Sequence, residues 1–82
     1  MTAFAKRLIK ETASSRGHFI VRTWQESETV WRTYAYSRLA GREELILDPI
    51  TSDSEARALE RHQQWAVMLE HQEYLVPERR SA

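Results

Sequence analysis

An α+β fold follows from three features of this 82-residue sequence. Residues 18–36 are dense in β-branched and aromatic side chains, polar or glycine-bearing breaks divide that region, and an apolar stripe at helical spacing follows Pro49. The predicted order is α-β-β-β-α in one domain over residues 1–82, with a three-stranded antiparallel meander packed against two helices. The alternative is a mostly α, three-helix unit, in which Ser27 caps a helix through Trp31, Tyr34, Ala35 and Arg38 that closes at Gly41.

The first helix is predicted over Thr2 to Ser14. Phe4, Ala5, Leu8, Ile9 and Thr12 share one face, Lys6, Lys10 and Glu11 lie largely opposite, and Thr2 stands as N-cap. Gly17 is placed to end it in the left-handed conformation. In the first strand Phe19, Val21 and Thr23 alternate with Ile20, Arg22 and Trp24. In the second, Trp31, Thr33 and Ala35 alternate with Val30, Arg32, Tyr34 and Tyr36. The loop from Gln25 to Glu28 lacks the Asn-Gly signal of a two-residue turn, which predicts four loop residues. Gly41 falls in the second connection, and the third strand sets Leu45 and Leu47 against Ile46.

Asp48 and Pro49 make a turn, since proline biases the residue before it toward extended backbone. Ser52 and Glu55 then read as a capping box. Ala58, Leu59, His62, Trp65, Ala66 and Leu69 form the core stripe of the last helix, with Val67 and Met68 off it. The helix is expected to reach about Glu73. Tyr74, Leu75 and Val76 are expected to fold back or add to a sheet edge, and residues 77–82 to be a mobile tail.

Composition narrows the function classes. There is no cysteine, which excludes a disulfide framework, thiol catalysis and thiolate zinc sites. No segment approaches the roughly 18 consecutive apolar residues of a membrane span. Lys6 and Arg7 interrupt any secretory apolar run, so a cytoplasmic protein is expected. Net charge is zero but uneven. Residues 1–42 carry eight Lys and Arg against three acids, and residues 43–82 carry four against nine. Either the two halves attract each other, within a monomer or across a homodimer, or the basic half meets nucleic acid or an acidic protein.

No chemistry-bearing constellation stands out. His62 and His71 are nine residues apart on one helix and off a common face, His18 sits at a strand edge, and no metal-ligand spacing occurs. His62 alone lies on the apolar stripe and is expected to be partly buried. Ser14, Ser15, Ser52 and Ser54 lack nucleophile-elbow surroundings, Glu43 and Glu44 read as a solvated strand entry, and the two glycines are isolated. No enzyme, metal or cofactor is expected.

One surface remains. Arg22 and Arg32 resist burial, so their side of the sheet should be the open one, and it carries Trp24, Tyr34 and Tyr36 outward with them. Phe19, Val21, Trp31, Ala35, Leu45 and Leu47 are then directed at the helices. Arg22, Trp24, Arg32, Tyr34 and Tyr36 form the predicted partner-binding set, because Trp, Tyr and Arg dominate protein–protein hot spots. The same residue types suit nucleic acid, where rings stack on bases and arginines meet phosphates. They also suit simple cross-strand stabilisation of the sheet. The α-β-β-β-α order is similar to that of double-stranded-RNA-binding domains. Those open their last helix with a lysine cluster, where this chain has Ser52, Asp53, Ser54 and Glu55, so that activity is not carried over. Three strands followed by a helix also resembles the topology of sheet-type DNA readers such as the arm-binding domains of integrases. The expected function is a small protein-binding module, of the kind found among phage and mobile-element accessory proteins and inhibitors, with nucleic-acid binding as the alternative.

Overall fold

The computed structural model describes residues 4–75, and the Thr2 cap, Val76 and the 77–82 tail of the sequence reading lie outside them. The described chain runs β1 (Arg7–Ala13), β2 (Phe19–Ser27), β3 (Val30–Leu39), β4 (Arg42–Leu45), β5 (Ile50–Ser52) and α1 (Glu55–Leu75). Its sheet is antiparallel in the order β1-β2-β3-β4, with β5 also paired to β3. Neither the two-helix α-β-β-β-α order nor the three-helix unit is formed. The segment predicted as the first helix is the edge strand β1.

A bulge explains that error. Leu8 stands opposite Trp24 and Lys10 opposite Thr23, which leaves Ile9 as an extra residue. The half-buried positions of β1 therefore fall at Ile9 and Thr12, three apart, a spacing that imitates a helix. An isolated helix of this length is marginal, whereas β-branched Ile9 and Thr12 suit the pleat. Gly17 does take a left-handed conformation (φ 76°), but within the β1–β2 connection.

The alternation predicted for β2 and β3 holds. Val21 pairs with Ala35 and Thr23 with Thr33 on the helix side, while Ile20 pairs with Tyr36, Arg22 with Tyr34 and Trp24 with Arg32 on the other. The loop between them is shorter than predicted. β2 runs to Ser27, which pairs with Val30, and Glu28 and Thr29 alone make the turn. Neither has positive φ, so this is not a primed turn, and a register shift at Glu26 accompanies it. By contrast Ala40 and Gly41, at φ 53° and 78°, close β3 onto β4 with two left-handed residues. That conformation is strained for alanine. Ala40→Asn is expected to raise stability by about 0.5–1 kcal/mol, read as a higher urea midpoint at unchanged slope.

The ten-residue β3 is bordered on one side by β2 and on the other by two short strands in succession, β4 along Tyr36–Leu39 and β5 along Trp31–Thr33. The third strand was predicted one segment too far along. It ends at Leu45, which pairs with Tyr36 away from the helix and is half exposed, so its predicted place in the core is wrong. Leu47, beyond the strand, does pack on the core.

Helix α1 lies across one sheet face. Its cap is Ser54 and not Ser52, which belongs to β5: Ser54 Oγ accepts from Arg57 N–H at 3.2 Å and its carbonyl from Ala58 N–H at 3.0 Å. Ala58 and Leu69 are buried as the stripe predicts, His62 more fully than expected, and Leu59 only half, with Trp65 and Ala66 packed at the edge of the core; Glu73 joins the buried stripe unforeseen. Tyr74 and Leu75 extend the helix and stay exposed.

Beneath the helix a buried polar network lies beside the apolar core. His62 is fully buried, its Nε2 hydrogen-bonded to Thr12 Oγ1 (2.8 Å) and its Nδ1 to Thr23 Oγ1 (2.9 Å), which also meets Thr33 Oγ1 (2.9 Å). Two hydroxyls thus satisfy both ring nitrogens. Near the C-terminal end Glu73 holds the β1–β2 connection. It accepts from Ser14 Oγ–H, from Arg16 N–H at 2.6 Å and from His18 N–H at 3.0 Å. Glu70 accepts from Ser15 N–H and Oγ–H, both at 2.9 Å.

Candidate functional site

With α1 on one side, the other side of the sheet has no second layer among the described residues. Three cross-strand rows make up that side. Leu8, Trp24, Arg32 and Thr51 form the first, Glu11, Arg22 and Tyr34 the second, and Ala13, Ile20, Tyr36 and Leu45 the third, with Ile20 buried among its neighbours. All five predicted partner-binding residues, Arg22, Trp24, Arg32, Tyr34 and Tyr36, therefore share this face, and each is half-buried. Period-two alternation brings them together, because paired residues in adjacent strands point the same way.

The aromatics form a short strip. Tyr34 and Tyr36 stack with ring centres 6.2 Å apart and planes 16° from parallel, and the Arg22 guanidinium lies 5.2 Å over the Tyr36 ring. At the row ends Leu8 and Leu45 are 44% and 50% exposed, so the apolar surface continues to both margins of the sheet.

The sequence reading missed the acids that meet the arginines. Arg22 donates to Glu11 Oε2 and in a fork to Glu43, at 2.7 and 3.0 Å. Arg38 donates to the same Glu43 at 2.8 Å. Hydrogen bonds from Arg22 and Arg38 hold the Glu43 carboxyl down at about 2, and the bonds to Glu43 and Glu11 push the Arg22 guanidinium up in turn. Around Glu26 lie Arg32 at 2.9 Å, Lys6 at 3.4 Å and the Tyr34 hydroxyl, which donates to it. Burial alone would raise the Glu26 carboxyl, but the Tyr34 hydrogen bond and the charges of Arg32 and Lys6 outweigh it and hold it below its ordinary value. Burial and the bond to Glu26 raise the Tyr34 phenol. In sequence Glu43 reads as a solvated strand entry and Glu26 as a loop residue. Only the strand register sets Glu43 opposite Arg38, and only the irregularity at Glu26 brings that acid to Arg32.

Two hollows mark the surface. A groove of about 340 Å³ on the uncovered face is lined by Lys6, Trp24, Glu26, Tyr34 and Tyr36. A larger open hollow of about 520 Å³ lies where the β2–β3 turn meets β5 and the start of α1, and none of the predicted residues lines it.

The remaining polar clusters read as fold-holding contacts. Ser14 Oγ is engaged with Glu73 and with Phe19 N–H, so the Ser14, Glu73, His18 grouping has its acid, and not its histidine, on the hydroxyl. That order cannot activate a serine nucleophile. Among the described residues no three His, Asp or Glu side chains gather as a metal ion needs, and no helix is long and apolar enough to cross a membrane.

Fold and face together define a one-helix antiparallel-sheet module with an uncovered aromatic side. No protein-family model, curated protein or solved structure matches the chain.

Proposed function

We propose that this chain is a small non-enzymatic protein-binding module that acts by occupying a partner protein with the uncovered sheet face. One observation carries the reading. A sheet covered on one side is ordinarily polar on the other, yet here that side bears Trp24, Tyr34 and Tyr36 between exposed Leu8 and Leu45. Aromatic and aliphatic area on a rigid sheet, rimmed by ion pairs already formed, is the composition of an interface core. The setting expected from the sequence, a cytosolic accessory protein of a phage or mobile element that inhibits its partner, enters as the use such a face would have.

The pairing of charges favours protein over nucleic acid as the partner. Arg22, Arg32, Arg38 and Lys6 each already meet a carboxylate, so phosphate binding would first have to break those contacts. Phosphate contacts are what give nucleic-acid affinity its steep salt dependence.

Trp24→Ala and Tyr34→Ala are expected to weaken capture of the native partner at least tenfold, on the order of 2 kcal/mol for a hot-spot ring, with the far-UV circular dichroism unchanged. The partner comes from an unbiased pull-down in the native host, and light scattering separates a second copy of this chain from a different protein. If both variants capture the partner as the parent does, the face is not the interface. Affinity for DNA or RNA that falls steeply with salt would replace this reading with the nucleic-acid one.

A further inference from the structure

We infer that the groove between Trp24, Tyr34, Tyr36 and Glu26 is a seat for a lysine side chain of the protein partner, and that Lys6 occupies it until the partner arrives. This rests on the face being a protein interface and adds what the interface recognises. The groove offers the two things an ammonium seeks, aromatic rings and a single ionised acid. Glu26 supplies the charge, its side chain only 12% exposed. A cation already uses the same aromatic chemistry next door, where Arg22 lies over Tyr36.

The contacts to Glu26 are unequal. Arg32 holds Oε1 at 2.9 Å and the Tyr34 hydroxyl donates to Oε2, both from β3 in fixed register beside β2. Lys6 approaches Oε2 at 3.4 Å, is 63% exposed, and sits ahead of β1 outside regular structure. It is therefore the partner most easily displaced. Exchanging its ammonium for another leaves the local charge count unchanged, so no buried carboxylate is stranded. With Oε1 committed to Arg32, the groove presents one acid oxygen. That suits a compact ammonium better than a guanidinium, whose fork calls for two.

The test is a titration of the intact protein with N-acetyl-lysine methylamide, followed by the Trp24 indole N–H and the backbone amides of Tyr34 and Tyr36. Lys6→Ala is expected to tighten binding roughly fivefold by removing the internal competitor, the ratio that about 1 kcal/mol confers. Glu26→Gln in the Lys6→Ala background is expected to abolish it, and N-acetyl-arginine methylamide to bind more weakly than the lysine probe. Lysine binding no tighter in Lys6→Ala than in the parent, equal binding with Glu26→Gln, or an arginine probe that binds as well would each overturn the seat. The interface reading is separable. If Trp24→Ala loses the partner while Lys6→Ala leaves lysine binding unchanged, the face stands and the seat falls.

Discussion

Glu73→Ala is expected to cost about 3–4 kcal/mol, enough to leave a domain of this size largely unfolded under mild denaturant. The Glu73 side chain is 1% exposed and accepts from three donors in the β1–β2 connection, two of them backbone N–H groups. Its removal takes the acceptor from those part-buried donors, and a donor left unsatisfied costs on the order of 1–3 kcal/mol when water cannot replace the acid. Glu73→Gln keeps the shape but turns an amide N–H toward donors, so about 2 kcal/mol is expected. Glu70→Ala, which releases exposed bonds to Ser15, should cost about 1 kcal/mol or less. Urea melts give the three values, and amide exchange at Arg16 and His18 should accelerate in both Glu73 variants. A Glu73→Ala cost below about 1 kcal/mol would mean that the connection is not held by this acid.

Acid should destabilise the fold well before carboxylates protonate. Burial, and secondarily the charge of Lys10, lowers His62 to about 4 from its ordinary 6.5. Between those values the unfolded chain binds more protons than the folded one, so stability falls as pH drops through that window. The full loss is about 3 kcal/mol, complete near the folded value, and above the unfolded value the contribution is intact. Glu73 extends the trend. Burial works to raise its carboxyl, but the hydrogen bonds from Ser14, Arg16 and His18 and the charge of His18 bring it below its ordinary 4.5. Its contribution is therefore present above 4.5 and is lost as pH falls through the folded value. His62→Gln should flatten the profile between pH 6.5 and 4 while leaving the lower limb. An unchanged slope in that variant would assign the upper limb to another group.

Much of the face was legible because alternation is a local signal. Arg22 and Arg32 point outward in their strands, and Trp24, Tyr34 and Tyr36 follow from period two alone. The α1 stripe was legible for the same reason at period 3.6, including the placement of His62. What failed was non-local. One extra residue at Ile9 changed the apparent period of β1 from two to three, and only pairing with β2 reveals the bulge. Two short strands in succession along one side of β3 leave no mark in either segment, since each sees only its own few residues. The charge state of the face was likewise invisible. Glu11 and Glu43 reach Arg22 from strands on opposite sides of β2, so a basic first half by composition becomes a neutralised surface in space.

Glu73 was missed because an acid on an apolar stripe reads as an error until its donors are known. Those donors belong to the β1–β2 connection, far away along the chain. Capping followed the same pattern on a smaller scale. Ser52 and Ser54 are both plausible caps by residue type, and the pairing of Ser52 with Trp31 in β5 decides between them.

The polar clasp between α1 and the first two strands has a kinetic consequence. The meander closes between neighbours in sequence, through turns of a few residues. The helix is joined to the sheet by bonds that span 50 residues from Thr12 to His62 and 59 from Ser14 to Glu73. Loop-closure entropy makes such contacts late to form. Interactions absent from the folding transition state govern how slowly a protein opens and not how quickly it assembles. The histidine and the glutamate are thus latches on the exit path: they set the lifetime of a sheet that its hairpins have already built.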